Sequence, residues 1–350
     1  PAAPPPPTSP FTPQQQQVLL YTFESLSSIS LVLSLATVIT YVHFKRKFPY
    51  TLAMGFAILV FFLNIFLLLG PAIGYQRLFE SRRLCDLQAT GIQFTGNAII
   101  WLYLFIAVNL YSHIVFKRFD GSHTKLRILI SGWTFPVSAL LTIIPLALGK
   151  FQPVGLWCWI ETEANGLFEF SCFYWWMAFS SVVAAALWFR VIWEVTKLRR
   201  ATSAAVTDPL SASASVAAAS RRRSQLATYL VRHIALVAGF TLMFGLMFTH
   251  RLCMWALKRE IFVLALLHCI ALSSSGVLVF VCFCATRDNA RLWAEAWPLN
   301  RMGRYRRFVC CCCGVPPLPA NDAAPYATNR GGSIGGASPA PRRGGYSAIT

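Results

Sequence analysis

The sequence predicts an all-α membrane protein: a seven-transmembrane helix bundle with its N-terminus outside and a short amphipathic eighth helix on the inner surface. Three observations predict it. Of 350 residues, 56% are hydrophobic and 13% charged, with a mean hydropathy of +0.53, whereas a soluble domain carries about 25% charged residues. Seven apolar runs are each long enough to cross a bilayer, which takes about 20 residues because water cannot satisfy the backbone inside lipid. Finally, the basic residues between the runs are uneven, 7 in one set of alternate connections and 20 in the other. Positive charge marks the cytoplasmic side, so the richer set faces inward and an odd number of spans puts the termini on opposite sides.

Residues 1–17 are Pro- and Gln-rich and uncharged, and read as a disordered extracellular arm. The spans follow at 18–44, 51–74, 85–116, 126–149, 167–196, 225–256 and 260–285, within a transmembrane domain of 18–286. The first and sixth are the least clean: Glu24 and a Ser-rich turn lie in one, and Arg232 and His233 open the other. None shows a break or an internal repeat. Residues 287–298 place Leu292, Trp293 and Trp297 at helical spacing before Pro298, as in a helix lying on the inner leaflet. The Pro-, Gly- and Ser-rich tail, 299–350, reads as disordered. The net charge of +18 sits in the loops and tail, where it meets lipid head groups and sets orientation, so nucleic-acid binding is excluded.

Of eleven cysteines, Cys85 and Cys158 alone fall in or beside outward-facing loops. An oxidising exterior lets them pair, the alternative being two free thiols. Cys310, Cys311, Cys312 and Cys313 form a juxtamembrane run beside Arg304, Arg306 and Arg307, which suits S-acylation. Four adjacent cysteines do not offer the spaced ligands of a zinc site, and no metal or cofactor is expected. Cys172, Cys253, Cys269, Cys282 and Cys284 read as small packing residues.

A pocket would open outward and use polar groups at lipid depth. Gln93 lies about 12 Å below Cys85 at 1.5 Å per residue. Asn97 is one turn deeper, followed by Trp101, and His268 lies at similar depth on the last span. Tyr174, Trp175 and Trp176 crowd the outer part of the fifth. These residues either meet a ligand or, for Gln93, Asn97 and His268, hydrogen-bond between helices, while the aromatics suit the interface. Arg77, Arg82, Arg83, Arg251, Lys258 and Arg259 ring the outside, either steering an anionic ligand or meeting lipid heads.

Further residues carry a resemblance. A basic turn, His43-Phe-Lys-Arg-Lys-Phe-Pro-Tyr50, precedes the second span. The third begins Cys85-Asp-Leu-Gln88 and runs through Gln93 and Asn97 to Trp101, and Trp157-Cys-Trp159 lies in the second outer loop. Over roughly residues 18–297 this layout resembles the cyclic-AMP-receptor-like (class E) G-protein-coupled receptors, which are related to the secretin/adhesion type. The family's Gln-Gly and following Asn in the seventh helix are replaced by Ser273-Ser-Ser-Gly-Val-Leu-Val-Phe280, which keeps only the Gly. Asn109-Leu-Tyr111 stands where rhodopsin-like receptors carry an acidic-Arg-aromatic triplet, and their Asn-Pro-x-x-Tyr pattern is absent.

The resemblance implies a plasma-membrane receptor for a small-molecule or peptide ligand outside and a heterotrimeric G protein inside. The ligand need not be cyclic AMP. The inner face offers Lys45 and Arg46, Lys117 and Arg118, and a third loop from Lys197 to Ser224. That loop joins Lys197, Arg199 and Arg200 to Arg221, Arg222 and Arg223 through an Ala/Ser-rich linker, with Ser211, Ser213, Ser215, Ser220 and Ser224 as phosphorylation candidates. The loop either docks the G protein or is an insertion that binds nothing. A retinal-binding microbial-type rhodopsin would need a Lys in the seventh span, and 261–285 has none. A transporter is the other class that seven helices allow. No catalytic motif is present, so an enzyme is not expected.

Overall fold

The computed structural model describes residues 11–44, 50–116, 123–161, 166–205 and 214–285. Lys45, Arg46, Lys117, Arg118, the 287–298 segment and Cys310 to Cys313 lie outside the described residues.

The first span, α1 (Pro13–Phe44), begins inside the stretch expected to be a disordered arm. Its start is a capping box with Pro at the first helical position. The Gln15 amide donates to Thr12 Oγ1 (3.3 Å) and the Thr12 amide to Gln15 Oε1 (3.0 Å). Phe11 then meets Phe262 edge-on at 5.8 Å. Along α1, Ser27, Ser30, Ser34 and Thr37 are fully buried, while Ile29, Val32 and Val42 are exposed. That is a soluble helix turned inside out. The 3-4-3 spacing puts small side chains on one face, where they let a neighbouring backbone approach, while lipid solvates the other face. The Ser34 and Thr37 hydroxyls donate back to the carbonyls of Leu31 (3.0 Å) and Leu33 (2.9 Å), so burial leaves both paired.

The second span, α2 (Tyr50–Leu67), continues into α3 (Leu69–Ile73) and turns at Gly74 into α4 (Tyr75–Glu80). Tyr75 Oη donates to Glu24 Oε1 at 3.3 Å, giving the acidic residue of the first span a partner. The third span, α5 (Arg82–Val115), packs against α2, the fourth span α6 (His123–Ala147) and the fifth, α8 (Trp175–Ala205). Before α8 come α7 (Leu167–Glu169) and a π-helical turn, Phe170–Tyr174. The sixth span is α9 (Ala214–Leu257). The seventh is a pair, α10 (Phe262–Ser273) and α11 (Ser275–Phe283). Five of these helices are long and apolar enough to cross a membrane unaided, the bent α10–α11 pair makes a sixth, and α2 is a shorter apolar helix. The protein is a multi-pass membrane protein built as a seven-helix bundle.

Between α6 and α7 the second outer loop folds as an antiparallel hairpin of β1 (Phe151–Val154) and β2 (Trp157–Ile160), an exception to the all-α expectation. Gly155, with φ +67°, takes the first position of its two-residue turn, where a positive φ is required. The end of the bundle carrying this hairpin is called the outer end.

Three expectations are corrected. The seventh span is broken, its halves meeting at 46° around Ser274, where consecutive serines offer the backbone competing hydrogen bonds. The third inner loop is largely helical, since α8 runs to Ala205 and α9 starts at Ala214. Its Ala-rich composition, read as linker, is also that of the best helix formers. Arg251, expected in an outer loop, lies on α9 and is 5% exposed.

Candidate functional site

The hairpin is held to the bundle by two devices. A disulfide joins Cys85 at the start of α5 to Cys158 of β2, with a Cα–Cα distance of 5.2 Å. Three residues after Cys85, Gln88 clamps the same strand: its Oε1 accepts from the Cys158 amide (2.7 Å) and its Nε2 donates to the Phe66 carbonyl of α2 (3.0 Å). One turn deeper, Gln93 links four elements. Its Oε1 accepts from Trp159 Nε1 of β2 (2.8 Å), and its Nε2 donates to the carbonyls of Cys172 (3.0 Å) and Leu141 (3.4 Å).

Under the hairpin, between the third, fifth, sixth and seventh spans, lies a cavity of about 40 Å³, room for roughly three water-sized groups. Trp157 and Trp159 roof it, and Ile92, Gly96 and Ile99 of α5 form one wall. Phe173 and Tyr174, adjacent in sequence, both line it. A regular α-helix would point them about 100° apart, and the wider π turn narrows that angle. Met243 and Met247 of α9 face them, and His268 and Ser275 supply polar groups from the seventh span. Gly96 is required here, because a Cβ would meet the Phe173 ring at 2.9 Å.

Of the residues expected to meet ligand, Tyr174 and His268 line this cavity, and Gln93, Asn97 and Trp101 do not. Depth along α5 was readable from the sequence, but the face was not. Gln93, Asn97 and Trp101 share one i, i+4, i+8 stripe, while Ile92, Gly96 and Ile99 form the neighbouring one, about 100° round the helix. Trp101 turns instead to Trp133 (5.8 Å) and Trp176 (5.5 Å) of the fourth and fifth spans. Asn97 is fully buried, and neither its Nδ2 nor its Oδ1 has a partner among the described residues.

A polar cluster flanks the cavity. His250 and His268 meet Nδ1 to Nδ1 at 3.0 Å across the sixth and seventh spans. Arg251 pairs with Glu169 at 3.3 Å, both side chains at most 5% exposed, and the guanidinium sits 5.5 Å from the centre of the Trp159 ring. In the connection between α9 and α10, where the structure places Glu260 outside both helices, burial raises its carboxyl above the usual carboxylate range, with Arg251 pulling the other way. The Glu169–Arg251 pairing escapes sequence reasoning because the two are 82 residues apart and Arg251 reads as an outer charge facing ligand or lipid heads. Among the described residues, no three or more His, Cys, Asp or Glu side chains gather as a metal site.

On the inner side, Lys197 is exposed near the end of α8, with Arg199 and Arg200 following on that helix and Arg221, Arg222 and Arg223 on α9. The third and sixth spans are tied by a 2.6 Å hydrogen bond between the Tyr103 and Thr241 hydroxyls.

No protein-family model matches the chain, and no curated protein matches it in sequence. Among solved structures it is similar to squid rhodopsin, with a TM-score of 0.64 at 13% identity, covering 86% of this chain and 87% of that one. The chain therefore shares the seven-helix fold of that protein.

Proposed function

We propose that the protein is a cyclic-AMP-receptor-like receptor in the plasma membrane, sensing an extracellular small molecule or peptide and signalling to a heterotrimeric G protein. The observation that carries this reading is the cavity, roofed by a disulfide-tied hairpin and walled by the third, fifth, sixth and seventh spans. A ligand that fits one arrangement of these helices better than another shifts their populations toward it. Tyr174 and His268 are the proposed ligand contacts, while Gln93, Asn97 and Trp101 shape the wall behind. The Tyr103–Thr241 bond lies on the route between this cavity and the inner ends of the third and sixth spans. There, Lys45, Arg46, Lys117, Arg118 and the basic ends of α8 and α9 form the proposed G-protein face, and acylation of Cys310 to Cys313 would anchor the tail.

The test is nucleotide exchange on a panel of heterotrimeric G proteins, with the protein reconstituted in lipid vesicles and cyclic AMP among the ligands. Exchange should rise with receptor and fall when Lys197, Arg199 and Arg200 are replaced by Ala. One observation favours a second reading, a transporter: the seventh span is broken at Ser274. Solute uptake by the same vesicles, with no exchange for any pairing, would replace the receptor with that reading.

A further inference from the structure

We infer that the cavity takes a neutral, largely apolar molecule whose hydrogen-bonding groups face His268 and Ser275, and that it excludes phosphorylated ligands. The inference rests on the receptor reading of the cavity and adds the chemical class of its occupant. The lining is almost wholly aromatic and aliphatic, and no Lys or Arg belongs to it among the described residues. Arg251, beside it, is already engaged by Glu169 and the Trp159 ring. A phosphate placed here would lose its water and gain no cation, which is prohibitive.

The two polar groups come from the two halves of the seventh span, His268 from α10 and Ser275 from the start of α11, on either side of the break at Ser274, and both line the cavity. Ser275 is 3% exposed, and its Oγ has no partner among the described residues. His268 engages His250 through Nδ1. A buried hydroxyl without a partner is costly, and an occupant presenting a donor or acceptor toward the seventh span would relieve that cost. The opposite wall can adjust. Met243 and Met247 are unbranched and change rotamer with little strain, so the slot can widen around a ring larger than its present volume.

The test uses the full chain in lipid nanodiscs with 5-fluoroindole, a neutral ring with one N–H, observed by fluorine NMR. Empty nanodiscs correct for partition into lipid. Saturable binding, displaced by unlabelled indole and weakened about fivefold in Ser275→Ala, is expected for loss of one hydrogen bond. A second readout avoids reliance on affinity. In Ser275→Cys, neutral methyl methanethiosulfonate should label the new thiol above the wild-type background, indole should protect it, and the anionic sulfonatoethyl reagent should not reach it. The inference is overturned if no saturable 5-fluoroindole binding is found, or if cyclic AMP or 1-naphthyl phosphate protects the thiol instead. Indole binding with no exchange on any G protein would remove the receptor reading and leave the ligand class standing. Exchange driven by a phosphorylated agonist that protects Ser275→Cys would do the reverse.

Discussion

Arg251 and Glu169 show how single residues hold the outer end together. Both are almost fully buried and joined at 3.3 Å, and removing one partner leaves a charge in a dry site. Arg251→Met should therefore cost about 3–5 kcal/mol, while Arg251→Met with Glu169→Leu should recover most of it; thermal unfolding of the purified protein in detergent separates the two cases. Gln93 works differently, through three neutral hydrogen bonds. Gln93→Leu should lower stability by about 2 kcal/mol by leaving the buried Trp159 N–H without its partner and removing the tie to the Cys172 carbonyl. The same variant should leave saturable 5-fluoroindole binding in place, because Gln93 does not line the cavity; loss of that binding with the fold intact would return Gln93 to the ligand.

At the scale of elements, the seventh span depends on the first. Where the helix breaks at Ser274, the freed amides of Gly276 and Val277 donate to Ser30 Oγ at 2.8 and 3.3 Å. A Cβ on Gly276 would collide with the Ser30 carbonyl, so Gly276→Val should separate α1 from α11 and reduce folded protein severely. Fluorescence-detected size exclusion reads this directly, and retention of a wild-type profile would contradict the close approach. The elements also mark how far the sequence could be read. The lengths and order of the spans followed from hydropathy, and the Cys85–Cys158 pairing from which cysteines lie outside. The capping box at Thr12 was written in Thr-Pro-Gln-Gln and hidden by the Pro-rich composition around it. The break at Ser274 and the π turn at Phe170 were not legible, because serines alone do not break a helix and both sites also depend on partners from neighbouring helices, Ser30 for the freed amides and Gln93 for the Cys172 carbonyl. For the cavity, Tyr174 and His268 could be found by depth and polarity, but Ile92, Gly96 and Ser275 could not. Which stripe of α5 faces inward is decided by packing, and an apolar residue is equally at home against lipid.

For the whole molecule, the roof over the cavity sets a time scale. Trp157 and Trp159 line the slot from the hairpin side, and the strand carrying them is fixed by the disulfide and by Gln88. We expect motion of the hairpin to gate entry and exit past these two rings. The observed association rate should then level off as ligand concentration rises, at a value set by opening and shared by unrelated ligands. Stopped-flow quenching of Trp157 and Trp159 would show that plateau, whereas a rate still linear at the highest concentration would mean an open mouth. Residence inside would follow from the same gate: once shut in, even a weakly held molecule stays as long as the door does, so the duration of a signal would be a property of the protein more than of its agonist.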